Sequence, residues 1–93
     1  MAETQSPQTA DDLIVSVRLF ARARELAGVD VVQVSVPQLV TIGELRAALA
    51  RQHPQLTPIS GALLFAVNAT YAGDADPVPR DAELACFPPV SGG

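Results

Sequence analysis

One stretch of the 93-residue sequence has the apolar spacing of a long amphipathic helix, and it limits the fold class more than any other feature. Thr41 and Glu44 have the spacing of a capping box, in which a threonine and a glutamate three residues later satisfy each other's backbone N–H groups. This pattern predicts a helix that begins at Ile42. Pro54 disfavours a helical conformation in the residue before it, so the helix should end near Gln52.

The predicted helix has one apolar face and one polar face, as expected for a helix that packs on a sheet. The buried face is predicted to hold Ile42, Leu45, Ala48 and Leu49. The residues expected to face water are Glu44, Arg46 and Arg51.

The remaining segments are short and have the period-two alternation or the apolar runs of β-strands. A shorter helix over 21–27 should end at Gly28, which can adopt the left-handed conformation of a helix cap. The predicted strands are 14–20, 29–36, 63–67 and 83–87. The strand over 63–67 is a continuous apolar run and should be buried on both sides. A turn or short edge strand is predicted over 68–71, and a surface loop over 73–81. Short strands around one main helix predict an α+β fold, a β-grasp roll with a mixed sheet.

The chain is long enough for one small domain. Residues 1–12 are polar and hold no apolar cluster, so they are predicted to be a disordered lead. The domain is expected to span 13–93, with a flexible C-terminal tail over 88–93 that follows the last strand.

Net charge and composition restrict the partners. The net charge is −4 and all six basic residues are arginines, so nucleic acid and anionic membrane surfaces are not expected partners. The sequence has neither a long apolar run nor a signal-like start, which predicts a cytoplasmic protein. The absence of lysine either protects an activated carboxyl group from attack within the molecule or reflects a genome-wide preference for arginine.

No set of side chains points to catalysis by the chain alone. Cys86 is the single cysteine and has the inward parity of its strand, which predicts an inert buried thiol. His53 has no readable catalytic partner, and the aspartates 74, 76 and 81 lack the spacing of a calcium loop. We therefore expect no metal, no bound cofactor and no enzymatic activity without a partner.

The last seven residues, FPPVSGG at 87–93, form the candidate functional segment. Pro88 and Pro89 fix φ and end strand pairing, so they project the residues after them away from the domain. Gly92 and Gly93 have no Cβ, so they can enter a channel too narrow for other residues. Glycine is also achiral, so activation of the Gly93 carboxyl group cannot scramble a stereocentre.

Three aromatic residues are candidates for a docking surface at the root of this tail. Phe87 and Phe20 lie on the non-core faces of the last and first strands, and Tyr71 can join them if these strands are neighbours. Exposed aromatic side chains of this kind dominate the binding energy of many interfaces. The alternative is a minor second core covered by a loop.

The sequence resembles the small, sulfur-carrier subunit of molybdopterin synthase. The similarity covers about residues 13–93 and is carried by FPPVSGG at 87–93, with support from ARARELAG at 21–28, AVNATY at 66–71 and RDAELACFPP at 80–89. The resemblance implies a β-grasp fold. It also implies that an E1-like adenylating enzyme uses ATP and Mg²⁺ to activate the Gly93 carboxylate, which then becomes a thiocarboxylate.

The resemblance further implies that the tail, with Val90, Ser91 and Gly92, inserts into the large catalytic subunit of the synthase. There the sulfur would pass to cyclic pyranopterin monophosphate. Phe20, Tyr71 and Phe87 match the docking surface of the family for both partners, and the implied assembly is a heterotetramer. Three alternatives remain: a sulfur carrier for thiamine or cysteine synthesis, a ubiquitin-like protein modifier, and an interaction module with an inert tail.

Overall fold

Five strands form one mixed sheet in the order β2-β1-β5-β3-β4. The structure is a computed structural model, and it describes residues 12–89. Its elements are β1 (Asp12–Leu19), α1 (Ala21–Ala27), β2 (Val31–Pro37), α2 (Ile42–Gln52), a 3₁₀ turn (Pro54–Leu56), α3 (Thr57–Ser60), β3 (Leu64–Val67), β4 (Thr70–Ala72) and β5 (Leu84–Phe87). β5 runs parallel to β1 and antiparallel to β3, and the pairs β1–β2 and β3–β4 are antiparallel hairpins. The predicted α+β class and β-grasp roll are confirmed.

The core lies between one face of the sheet and the helices. The alternation predicted for the first strand is confirmed, since Val15, Val17 and Leu19 are all buried. The predicted apolar face of α2 is also buried in full. The largest side chains with less than 2% exposure are Phe65, Leu19, Ile42, Leu45, Leu49, Leu56 and Leu63.

Helix α2 begins and ends where the sequence predicts. The Glu44 N–H donates to Thr41 Oγ1 at 3.3 Å, and the Thr41 N–H donates to Glu44 Oε1 at 2.9 Å, so the capping box is complete. At the other end His53 leaves the helix with φ −129° and ψ 75°, as expected for a residue before proline. Its Nε2 lies 2.9 Å from the Gln33 carbonyl oxygen, which gives His53 a structural contact at the edge of the sheet.

The predicted surface loop over 73–81 is confirmed, and it is tied to the first turn of α2. The Ile42 N–H donates to the Asp76 carbonyl at 2.9 Å, and the Gly43 N–H donates to the Asp74 carbonyl at 3.0 Å. These bonds satisfy N–H groups that have no partner within a helix. The loop therefore completes the N-terminus of α2.

The prediction that Arg46 faces water is wrong. Its Nη1 donates to the carbonyl oxygens of Ser60 at 2.9 Å and Leu63 at 2.6 Å, and its Nη2 pairs with Asp74 Oδ1 at 2.6 Å. The guanidinium also lies 5.1 Å from the centre of the Phe65 ring. The long aliphatic stem lets the charged group reach these partners from the flank of the helix, which helical periodicity cannot predict.

Four of the predicted strands have boundaries that differ from the structure. β1 begins at Asp12, so the predicted disordered lead does not extend to residue 12; residues 1–11 lie outside the described range. β1 ends at Leu19, and β2 covers Val31–Pro37 rather than 29–36. β3 begins at Leu64, which is 42% exposed, so this strand is not buried on both sides as predicted. β5 begins at Leu84 rather than at residue 83.

The segment Pro54–Ser60 folds as a 3₁₀ turn followed by one turn of helix, and neither element is predicted from the sequence. Leu56 is fully buried there and extends the core beyond the end of α2. No helix within residues 12–89 is long and apolar enough to cross a membrane.

Candidate functional site

The tail leaves the domain from the middle of the sheet. β5 lies between β1 and β3, and its last residue, Phe87, pairs with Leu64. Pro88 follows and is half-buried, while Pro89 is exposed. Because β5 is a central strand with a partner on each side, the root of the tail is held firmly. The predicted tail-insertion residues Val90, Ser91 and Gly92, and the predicted reactive residue Gly93, lie outside the described residues.

Phe20, Tyr71 and Phe87 lie together at this root and are called the aromatic cluster below. The rings of Phe20 and Phe87 are stacked, with centroids 4.9 Å apart and planes 6° from parallel. Tyr71 approaches Phe87 edge-on, at 6.1 Å and 70°. Phe87 is half-buried because Phe20 covers it, whereas Phe20 is 38% and Tyr71 70% exposed. The predicted proximity of the three rings is confirmed, and the exposure of Tyr71 argues against a second core beneath a loop.

A sharp change of direction places Phe20 in the cluster. Phe20 is the last extended residue before α1, with φ −130° and ψ 152°, and Ala21 after it has φ 54°. Positive φ is costly for an alanine because its Cβ approaches the next carbonyl oxygen. The turn therefore fixes the direction in which Phe20 leaves β1, toward Phe87 on the neighbouring strand.

A two-residue hairpin places Tyr71 in the cluster. Asn68 and Ala69 connect β3 to β4 with φ of 51° and 70°, the pattern of a type I′ turn. Asn68 also bonds twice to the residue before β5: its side-chain Oδ1 accepts from the Glu83 N–H at 2.9 Å, and its own N–H donates to the Glu83 carbonyl at 2.8 Å. Sequence reasoning read Asn68 only as a turn former and missed this bond between the hairpin and β5.

The outer face of the sheet, opposite the core, is partly apolar and open. Ile14 is 64% exposed, Val31 40% and Leu64 42%. Ile14 and Val31 line a groove of about 500 Å³, together with Arg18 and Arg80. These two arginines are exposed, as expected for side chains that meet solvent or an acidic partner surface.

Cys86 is enclosed and unreactive in character, as predicted. Its side chain has no exposed surface, and burial raises the pKa of its thiol from 9.0 to about 12, although the positive charge of Arg46 offsets part of this rise. A thiol with such a pKa is almost entirely protonated at neutral pH and is a poor nucleophile. Within residues 12–89 no group of three or more His, Cys, Asp and Glu side chains could hold a metal ion.

The arrangement can present a tail and dock a partner. Comparisons with known proteins show the family of the chain. The ThiS family model matches residues 17–93. The molybdopterin synthase sulfur carrier subunit of Escherichia coli is 38% identical over 82 residues, which covers 86% of this chain and all of that protein.

Two solved structures share the fold. The small archaeal modifier protein 1 of Haloferax volcanii has a TM-score of 0.71 and 34% identity over 84% of this chain and 97% of its own. A chain in the complex of subunits 1 and 2 of the molybdopterin-converting factor from Helicobacter pylori has a TM-score of 0.60 and 22% identity, over 87% of this chain and 100% of its own. At that identity the likeness shows the fold alone. The chain belongs to the ThiS family of ubiquitin-like sulfur carriers.

Proposed function

We propose that this chain is the sulfur-carrier subunit of a molybdopterin synthase. The observation that carries the proposal is the aromatic cluster at the root of the tail, together with the match to the Escherichia coli relative over that protein's whole length. The cluster supplies an exposed apolar surface beside the point where the chain leaves the sheet. A partner bound there receives the tail directly.

In the proposed reaction the Gly93 carboxylate is the reactive group, because the described side chains supply no nucleophile suited to catalysis. A carboxylate is a poor electrophile, so an E1-like partner first joins it to the AMP portion of ATP and releases pyrophosphate. Mg²⁺ would be bound with the ATP by that partner and not by this chain. Hydrosulfide (HS⁻) then attacks the carbonyl carbon, AMP leaves, and a thiocarboxylate remains on Gly93.

In the second step the thiocarboxylate is the sulfur donor to cyclic pyranopterin monophosphate in the large subunit of the synthase. The match to the whole of the Escherichia coli molybdopterin synthase sulfur carrier subunit supports a partnership of this kind. This chain has the part of a donor and not of a catalyst. Its task is to hold the tail root rigid while Val90, Ser91 and Gly92 extend into the partner.

Mass spectrometry of the intact chain tests the first step. After incubation with the activating enzyme, ATP, Mg²⁺ and a sulfur source, the mass should rise by one oxygen-to-sulfur exchange, and fragmentation should place the sulfur at Gly93. A chain lacking Gly93 is the matched control and should stay unchanged. Sulfur found on Cys86 would overturn the proposed chemistry, since that thiol is enclosed in the core.

The docking role of the aromatic cluster has its own test. Tyr71→Ala removes the ring with the largest exposure in the cluster, so it should weaken binding to the large subunit by at least tenfold with little change in unfolding. Leu39→Ala is the control, because Leu39 is 95% exposed in the loop before α2 and lies outside the cluster. Equal affinities of the two variants for the large subunit would refute the docking role.

A ubiquitin-like protein modifier is the second candidate, favoured by the likeness to the small archaeal modifier protein 1. In that function the activated Gly93 is joined to lysine side chains of other proteins. Proteomic mass spectrometry separates the two, because a modifier leaves Gly93 linked to lysines of many targets. Co-purification with a large synthase subunit separates the proposed role from a carrier for thiamine or cysteine synthesis.

A further inference from the structure

Among the described residues, no strand pairs with the outer edge of β2, but side chains from the end of α2 bond to it. β2 pairs with β1 on one side only, so the outward backbone groups of its seven residues have no strand partner. Such an edge is a template for pairing with another chain, and proteins protect long edges by several devices. At the opposite edge, β4 has only three residues and offers far less to pair with.

Gln52 bonds to this edge in the way that a neighbouring strand would. Its Oε1 accepts from the Ser35 N–H at 2.9 Å, and its Nε2 donates to the Ser35 carbonyl at 2.8 Å. A side-chain amide has the same donor and acceptor as a peptide group, so it replaces both bonds of one antiparallel partner residue.

Two more residues close the positions on either side of Ser35. His53 Nε2 lies 2.9 Å from the carbonyl oxygen of Gln33, two residues before Ser35. Pro37, two residues after it, has no N–H to donate. Residues at this spacing direct their backbone groups to the same side of a strand, so at each of three successive outward positions of β2 at least one backbone group cannot pair with a new strand.

We infer that Gln52 and His53 close the β2 edge against antiparallel pairing with the β2 strand of a second copy. A second copy is the occupant that fits, because an antiparallel pair of identical strands is self-complementary about a twofold axis. The β2 strand of a second copy has the same length and the same buried valines on its core face. The core faces of the two sheets would therefore lie on the same side of the joined sheet. The closure leaves the aromatic cluster, which lies toward β4, available to other partners.

The test compares the wild-type chain with the double variant Gln52→Ala/His53→Ala by sedimentation velocity over a range of concentrations. The variant should shift from the monomer mass of 9.7 kDa toward a dimer as concentration rises, while the wild type stays monomeric. Gln55→Ala, at an exposed position in the adjacent 3₁₀ turn, is the matched control and should behave as the wild type. A variant that remains monomeric with an unchanged circular dichroism spectrum would overturn the inference.

A third substitution shows whether the new contact uses the β2 edge. Ser35→Pro, added to the double variant, removes the outward N–H and places a ring on the edge while the backbone bonds to β1 stay in place. It also removes the hydrogen bond that Ser35 Oγ donates to Asp12 Oδ2. It should restore the monomer. Hydrogen exchange gives a second readout: the Ser35 N–H should exchange faster in the dilute double variant than in the wild type. A dimer that persists after Ser35→Pro, or an unchanged exchange rate, would contradict the inference.

Discussion

Arg46→Met removes the guanidinium that joins three parts of the fold while it keeps an unbranched side chain over Phe65. In the wild-type chain this group connects α2 to the Ser60 and Leu63 carbonyl groups before β3 and to Asp74 after β4. It therefore holds both ends of the β3–β4 hairpin against the main helix. The side chain is 20% exposed, so water cannot replace all of its bonds.

The expected loss of stability follows from these contacts. A hydrogen bond to a charged group contributes about 1.5–3 kcal/mol, and losing the donor leaves two part-buried carbonyl groups short of a partner. The ion pair adds less than about 1 kcal/mol because Asp74 is 66% exposed, and a sulfur–aromatic contact of methionine with Phe65 replaces part of the cation–π attraction. We expect a total loss of about 2–4 kcal/mol, since the contributions share one side chain and do not add fully.

Urea unfolding followed by circular dichroism measures this loss, because a small domain of this kind is expected to unfold in one step. Arg51→Met is the control: it makes the same replacement at an exposed position of the same helix and should change stability by less than about 0.5 kcal/mol. If Arg46→Met and Arg51→Met lose the same small amount of stability, the connection through Arg46 is not a source of stability and the reasoning is refuted.

Three further predictions concern single residues. Ala69→Gly should raise the free energy of unfolding by about 0.5–1 kcal/mol, because Ala69 has φ 70°, a conformation that is costly for a residue with a Cβ. Ala62→Gly should lower the free energy of unfolding, since Ala62 is not among the residues with positive φ. A change of the same sign in both variants would contradict this account. Thr41→Ala should cost about 1 kcal/mol through loss of the capping box, and a cost no larger than that of Thr57→Ala, at an exposed position of α3, would contradict it. The free energy of unfolding should fall as pH rises from 9 toward 12, because the native chain keeps the Cys86 proton that the unfolded chain loses. Cys86→Ala should remove this part of the pH dependence. Identical pH profiles of the wild type and Cys86→Ala would refute the prediction.

Features set by neighbouring residues could be predicted from the sequence. The capping box at Thr41 and the end of α2 before Pro54 depend on residues within one or two turns of each other. The alternation of β1 identifies its core face because the period of a strand is fixed by its geometry. The same parity brought Phe20 and Phe87 to the outer face, and adjacency of the first and last strands then made them neighbours.

Features set by distant residues could not be predicted in this way. The partners of Arg46 lie 14 to 28 residues away in the sequence. Ser35, to which the Gln52 amide bonds, lies 17 residues before Gln52. Leu56 is buried because a 3₁₀ turn brings it into the hydrophobic core, and the local sequence has no periodicity that marks it. The exposure of Leu64 depends on which face of the sheet the helices leave open.

The position of β5 connects the fold to the proposed function. A tail attached to an edge strand could fray with that strand, whereas β5 has hydrogen-bonded partners on both sides. The aromatic cluster is built on the same frame, with Phe20 directly after β1 and Tyr71 from β4. A partner that recognises the cluster therefore finds the tail root at a fixed position.

The most direct test of the proposed sulfur transfer is a single-turnover reaction with the thiocarboxylated chain, the large synthase subunit and cyclic pyranopterin monophosphate. The account predicts that sulfur leaves Gly93 as molybdopterin forms, and that a chain lacking Gly93 gives no product. Formation of molybdopterin at the same yield with the Gly93-deleted chain would contradict it.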